Sequence, residues 1–119
     1  MSIDADGLTG EQYLYLTTTG RVTGLLREIE IWYVYSEGKF YVLAEHFHKA
    51  QWVRNIQRQP QVAVRIAGRR FAAQARVLDE TQDTAAWQTA QRLGRKKYGW
   101  GDGLPVEITL LHGTDGNIS

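Results

Sequence analysis

The chain has 119 residues, 43% of them apolar, with fourteen Lys/Arg against thirteen Asp/Glu; this excludes a disordered tail, a collagen and a two-domain enzyme, and reads as a single domain over residues 1–119. A chain of this size buries roughly two-thirds of the surface it exposes when unfolded, which leaves little internal pocket, so a sizeable ligand is expected in a surface groove or between two copies. There is no cysteine, which removes disulfides, thiolate nucleophiles and Cys-based zinc sites.

The first ten residues, MSIDADGLTG, read as a loose arm. They lack the basic and apolar regions of an export signal, and no apolar run approaches the roughly 20 residues of a membrane span, so a cytoplasmic location is expected. Tyr13–Thr19 is rich in β-branched and aromatic residues and stops at Gly20, the pattern of a strand. Arg27–Tyr35 alternates, with Arg27, Ile29, Ile31, Tyr33 and Tyr35 on one face and Glu28, Glu30, Trp32 and Val34 on the other. Glu37-Gly38 is a two-residue hairpin signal leading into a third strand, Lys39 to about Glu45. That register sets Tyr35 against Phe40, Tyr33 against Val42 and Trp32 against Leu43. Both faces of the hairpin are apolar near its turn, so one can line a barrel while the other needs a helix or a second copy over it.

His48–Gln59 switches to helical spacing, with Trp52, Val53 and Ile56 inward and Pro60 as the stop. Gln61–Ile66 and Arg70–Leu78 alternate around Gly68-Arg69, which pairs Ile66 with Phe71 and Val64 with Ala73. The opposite face of that hairpin carries Arg65, Arg70, Gln74 and Arg76. Thr81 to about Lys97 is helical, with Thr81 as a candidate cap. A flexible aromatic loop, Tyr98–Gly103, precedes a last strand, Pro105–Leu111. The order gives a mainly β fold, six short strands with two or three helices in a closed or split barrel.

Charge is unevenly spread. From His46 to Leu78 there is no acid, but Lys49, Arg54, Arg58, Arg65, Arg69, Arg70 and Arg76 place seven fixed positive charges in 33 residues. This points to an anionic partner for the middle of the chain, or to a solvated basic face. Gly20 and Gly24 bracket the first turn, where they give backbone freedom or present N–H groups to an anion. Arg21 and Thr23 add a guanidinium fork and a hydroxyl to the same space. Arg27 opens its strand at a barrel rim, where it binds phosphate or carboxylate or simply snorkels. Lys49, in the first helical turn, opposes the helix dipole unless an anion lies nearby. His46, His48 and His112 do not share a metal-ligand spacing, so no metal site is expected. Glu28 and Glu30 share one strand face and read as solvent-facing rather than as an acid/base pair.

The segment Leu16-Thr-Thr-Thr-Gly-Arg-Val-Thr-Gly24, followed by Arg27, Trp52-Val-Arg-Asn-Ile56 and Pro60-Gln-Val-Ala-Val64, resembles the deazaflavin-dependent nitroreductase family. The resemblance implies the split β-barrel of pyridoxamine-phosphate-oxidase-like, FMN-binding proteins, and a cytoplasmic homodimer. It also implies transfer of a hydride from reduced coenzyme F420 to a quinone, nitro compound or activated alkene. On this resemblance Arg21, Thr23, Gly24, Arg27 and Lys49 hold the anionic tail, while Trp32, Leu43, Ala44, Glu45, His46 and Trp52 line the ring. Tyr98 and Trp100 face substrate, with Tyr98 as proton donor. Val22 and Leu26 depart from the family pattern, as does the glycine-free loop Glu45–His48. The near alternatives keep the fold and bind FMN, or bind flavin without turnover. A nucleic-acid-binding barrel using Arg65, Arg70 and Arg76 is the distant one; nucleic acid is not expected as a partner, because the strand aromatics and these arginines lie on different hairpins.

Overall fold

The computed structural model describes residues 8–111. Six antiparallel strands, β1 (Tyr13–Thr19), β2 (Leu26–Ser36), β3 (Lys39–Ala44), β4 (Gln61–Ile66), β5 (Arg69–Val77) and β6 (Leu104–Leu110), close in the order β1-β2-β3-β6-β5-β4. Helix α1 (Gln51–Arg58) follows β3, and α2 (Thr84–Tyr98) follows β5. The expected mainly β barrel is therefore the fold observed.

Directly opposed residues of an antiparallel pair share a face, and alternation decides which face is inside. Leu16 pairs with both Ile29 and Val64, Tyr33 with Val42, and Phe40 with both Tyr35 and Ile108. Leu16, Val42 and Ile108 are wholly buried, and each such side chain contributes about 1.5–3 kcal/mol by leaving water. At the β2–β3 turn Glu37 and Gly38 both have positive φ, 48° and 85°. That is the type I′ geometry whose twist suits a hairpin, and the register is the expected one.

The β4–β5 hairpin differs from expectation. Its central residues are Ala67 and Gly68, at φ 52° and 77°, and the pairs are Val64–Phe71 and Val62–Ala73. A turn with two left-handed residues matches strand twist well enough to tolerate an alanine there. The pairing is displaced by two residues, an even number, so every side chain keeps its face and the interior stays apolar.

Over the outer face of the β2–β3 hairpin lies α2, with Val34 and Tyr41 buried beneath it. The helix thus supplies the cover that face needs near its turn. Strand β2 pairs with β1 over 26–32 but with β3 only over 33–36. Beyond Tyr33 the two strands part, and this is the split in the barrel.

Two helix starts differ from the sequence reading. Phe47–Lys49 forms a 3-10 turn entered by a left-handed Phe47, and Ala50 is extended before α1 begins at Gln51. The chain leaving β3 needs this corner to reach the barrel mouth, so Lys49 lies in the corner ahead of the helix and not in its first turn. Likewise α2 starts at Thr84 rather than Thr81. The Asp79 carboxylate accepts hydrogen bonds from the backbone N–H groups of Thr81 and Gln82 and from the Thr81 hydroxyl, a local turn that uses the would-be cap as a donor. Residues 1–7 and 112–119, including His112, lie outside the described residues. Of the amino-terminal arm, Leu8 is fully buried and its carbonyl accepts the Tyr33 hydroxyl. Among the described residues no helix is long and apolar enough to cross a membrane.

Candidate functional site

A groove with two chambers opens where β2 leaves β3. The smaller, about 490 Å³, is lined by Thr18, Arg21, Thr23, Arg27, Gln51 and Asn55 among others. The larger, about 630 Å³, is lined chiefly by Glu30, Trp32, Leu43, Glu45, His46, Tyr98 and Trp100. Ile29 and Trp52 border both, so the chambers meet at a waist between β2 and α1.

The small chamber has two guanidinium groups and no acid in its lining. Arg21 is held from α1: Nη1 donates to Asn55 Oδ1 at 2.9 Å and Nη2 to Gln51 Oε1 at 2.7 Å. Asn55 is buried, also accepts the Arg21 backbone N–H, and donates from Nδ2 to the buried Thr18 hydroxyl. Both acceptors of the guanidinium are neutral, so its charge is uncompensated, and three of its five N–H donors stay free for a ligand. The Arg27 guanidinium, exposed at the rim, has no hydrogen-bond or ion-pair partner among the described residues. Thr23 Oγ1 accepts the Leu25 N–H at 3.1 Å and keeps its own proton to donate.

Glycine N–H groups contribute nothing to this chamber. The Gly20 N–H donates to Leu25 O and the Gly24 N–H to Gly20 O, at 2.7 and 2.8 Å. Both are consumed by the turn, in which Gly24 takes φ 75°.

At the far end Trp32 and Tyr98 stack at 4.4 Å with their planes 6° apart. The Tyr98 hydroxyl turns to the backbone, lying 2.6 Å from Gln12 O and 2.7 Å from Tyr33 O and accepting the Tyr33 N–H at 3.1 Å. Its single proton is committed there, and burial raises its pKa. Tyr98 is thus placed to orient Trp32, not to deliver a proton into the chamber. Beside it the Lys97 ammonium donates to Glu11 O and Tyr33 O and sits 4.2 Å from the Tyr33 ring; burial lowers its pKa. Burial also pushes Tyr33 up to about 12.

The loop after α2, read from sequence as flexible, is tightly packed. A Cβ on Gly101 would lie 2.1 Å from Gln91 O, and one on Gly103 would lie 2.8 Å from the Trp100 ring. These glycines allow close approach, which fixes Trp100 at the chamber wall.

Several expectations change. Ala44 is buried and lines neither chamber, and Lys49 and Gly24 are absent from both linings. The cations that face the anion chamber, Arg21 and Arg27, lie outside the acid-free run. Within that run Arg65 pairs with Glu28 at 3.4 Å and covers the Tyr15 ring, while Arg76 pairs with Asp83 at 3.0 Å and Glu107 at 3.2 Å. The surface a nucleic acid would need is partly neutralised. Sequence reading missed Thr18, Gln51 and Asn55. The signal for Asn55 was its place three residues after Trp52, a polar residue on an otherwise apolar helical face. No group of three or more metal-ligating side chains occurs among the described residues.

A split barrel with a groove that is cationic at one end and aromatic at the other defines the class, a small barrel suited to an anionic, ring-bearing ligand. Residues 4–110 match the model of the F420H2-dependent quinone reductase family, and the chain belongs to that family. It is an F420H2-dependent oxidoreductase, with coenzyme F420 as its hydride source. No curated protein sequence matches the chain at a significant level. Among solved structures it is similar to an F420-H2 dependent reductase (22% identity, 85% of this chain and 95% of that one, TM-score 0.64). It is also similar to a FAD-binding protein from Mesorhizobium loti (14%, 91% and 87%, 0.70) and to a protein described as a domain-swapped dimer (23%, 85% and 81%, 0.60).

Proposed function

We propose that the small chamber holds the anionic tail of F420H2 on Arg21, Arg27 and Thr23, and that the ring crosses the waist at Trp52 into the large chamber. There a small electron-poor acceptor, a quinone first of all and also a nitro compound or activated alkene, lies against Trp32, Tyr98 and Trp100. The observation that carries this reading is Arg27 without a partner, in an acid-free chamber joined through Trp52 to an aromatic one.

When bound, the coenzyme supplies the hydride. The chain's own residues bind, orient and exclude water. Arg21 is preorganised by Asn55 and Gln51, so its ordering is complete before binding. Trp52, Trp32 and Trp100 present apolar surface to flat rings. Tyr98 keeps its proton hydrogen-bonded to backbone oxygen, so in this reading it orients Trp32 and does not protonate the reduced acceptor.

Titration with F420, followed by its fluorescence, tests the assignment. Arg27→Ala is expected to weaken binding about tenfold or more, since a hydrogen bond to a charged group contributes about 1.5–3 kcal/mol. Retention of FMN with no binding of F420 would refute the reading.

The same proposal takes the chain as one domain that works in the cytoplasm as a homodimer. Val22, Leu25 and Leu26 are 86%, 60% and 69% exposed, and the edge of β2 away from β1 is unpaired over 26–32. A second copy of the chain is the cover we assign to this edge, in keeping with the dimer among its structural neighbours. A monomer at micromolar concentration by light scattering would overturn it.

A further inference from the structure

We infer that Glu30 and Glu45 make the acceptor chamber selective by charge, admitting neutral or cationic electron acceptors and rejecting anionic ones. The inference rests on reading the larger chamber as the acceptor site. Among the described residues its lining contains these two carboxylates, the imidazole of His46 and no lysine or arginine. Other acids on the barrel wall are compensated: Glu28 pairs with Arg65, and Glu107 with Arg76. Glu30 and Glu45 have no cation at ion-pair distance among the described residues, and both are exposed toward the groove. Glu30 stands opposite Tyr15 across the β1–β2 ladder, where burial and then the Glu30 charge raise the Tyr15 hydroxyl. Two carboxylates without a paired cation thus border the space where the acceptor docks.

The polarity is the reverse of the other chamber, which holds two cations and no acid. An anionic acceptor entering beside Trp32 meets two like charges that no lysine or arginine of the described lining offsets, whereas a neutral quinone meets aromatic surface. The same pair opposes the coenzyme's lying in the groove backwards, with its tail at the aromatic end. Field and shape together thus give each chamber one kind of occupant.

The test compares 1,4-naphthoquinone with 1,4-naphthoquinone-2-sulfonate, binding to the full chain with oxidised F420 filling the cationic chamber, where the sulfonate would otherwise dock on Arg21 and Arg27. Trp32, Trp52 and Trp100 line the chamber, so tryptophan quenching reports occupancy, and the absence of cysteine removes thiol addition to the quinone. At 20 mM salt the neutral quinone is expected to bind about tenfold more tightly than the sulfonate, and the ratio to shrink at 500 mM as charges are screened. In the Glu30→Gln/Glu45→Gln double variant the ratio should fall to about threefold or less, the change coming chiefly from tighter binding of the sulfonate. With F420H2 present, the ratio of kcat/KM values for the two quinones should follow the binding ratio. Equal binding of both quinones by the parent chain, or an unchanged ratio in the double variant, overturns the inference and leaves the acceptor site standing. Failure of the neutral quinone to quench saturably overturns the acceptor-site reading, and the inference with it.

Discussion

Asn55 is where fold and coenzyme binding meet, and two substitutions there separate its contributions. In Asn55→Asp the shape is kept, the Thr18 hydroxyl can reverse to donate, and Arg21 gains an ionised partner at the 2.9 Å contact. Stability is expected to change little, because a stronger bond to Arg21 offsets the burial of a carboxylate. Coenzyme affinity falls for a different reason. An anion on the free side of the guanidinium lies about 6–7 Å from the new carboxylate, and with an effective dielectric constant of about 40 the repulsion is about 1.3 kcal/mol, a factor near ten. Asn55→Ala acts in the other sense. It removes three hydrogen bonds and orphans a buried hydroxyl, and is expected to destabilise the fold by about 2–3 kcal/mol. The assays are urea unfolding and F420 fluorescence titration at low salt. The reasoning fails if Asn55→Asp folds normally and binds F420 as tightly as the parent, since the neutrality of the residue holding Arg21 would then be irrelevant to the anion.

Tyr98→Phe should leave kcat within about threefold while lowering stability by about 1–3 kcal/mol, because the Tyr33 N–H loses its acceptor; a hundredfold loss of kcat in a folded variant would restore Tyr98 as proton donor. Tyr33 and Tyr41 are both pushed up to about 12, chiefly by burial. Each keeps its proton folded after the unfolded chain loses it near pH 10, so their stabilising effect is complete below pH 10 and is lost by pH 12. The slope is at most about 1.4 kcal/mol per pH unit for each. Tyr41→Phe should flatten that decline in urea midpoints, and an unchanged slope would contradict the assignment. Ala67→Asn should raise Tm by a few degrees, because asparagine tolerates the left-handed turn residue better than alanine; a lower Tm would count against the type I′ assignment.

Strand alternation and the Glu37-Gly38 turn were readable from local sequence because side-chain period and turn chemistry are properties of neighbouring residues. Even the misplaced β4–β5 turn kept its faces, since its error was an even number of residues. The motif around Thr17–Gly24 and Trp52–Ile56 was enough to place the family. Arg21, Thr23, Arg27, Trp32, Trp52 and Trp100, singled out in the sequence as candidates, all line the groove, because they border turns and rims whose character is local.

What tertiary structure alone decided is pairing over long range. A run of seven basic residues suggested an anion site, yet two of its strand arginines are paired, Arg65 with Glu28 and Arg76 with Asp83 and Glu107, and both glutamates come from segments more than thirty residues away. Meanwhile Arg21, an ordinary turn arginine in sequence, is held by Gln51 and Asn55 thirty and thirty-four residues away, and Tyr98 proved committed to the backbone of β2. Whether a charge is free or a hydroxyl is spent depends on which partners barrel closure brings within 3 Å or so. Periodicity carries no information about that, because it records which way a side chain points and not what it meets.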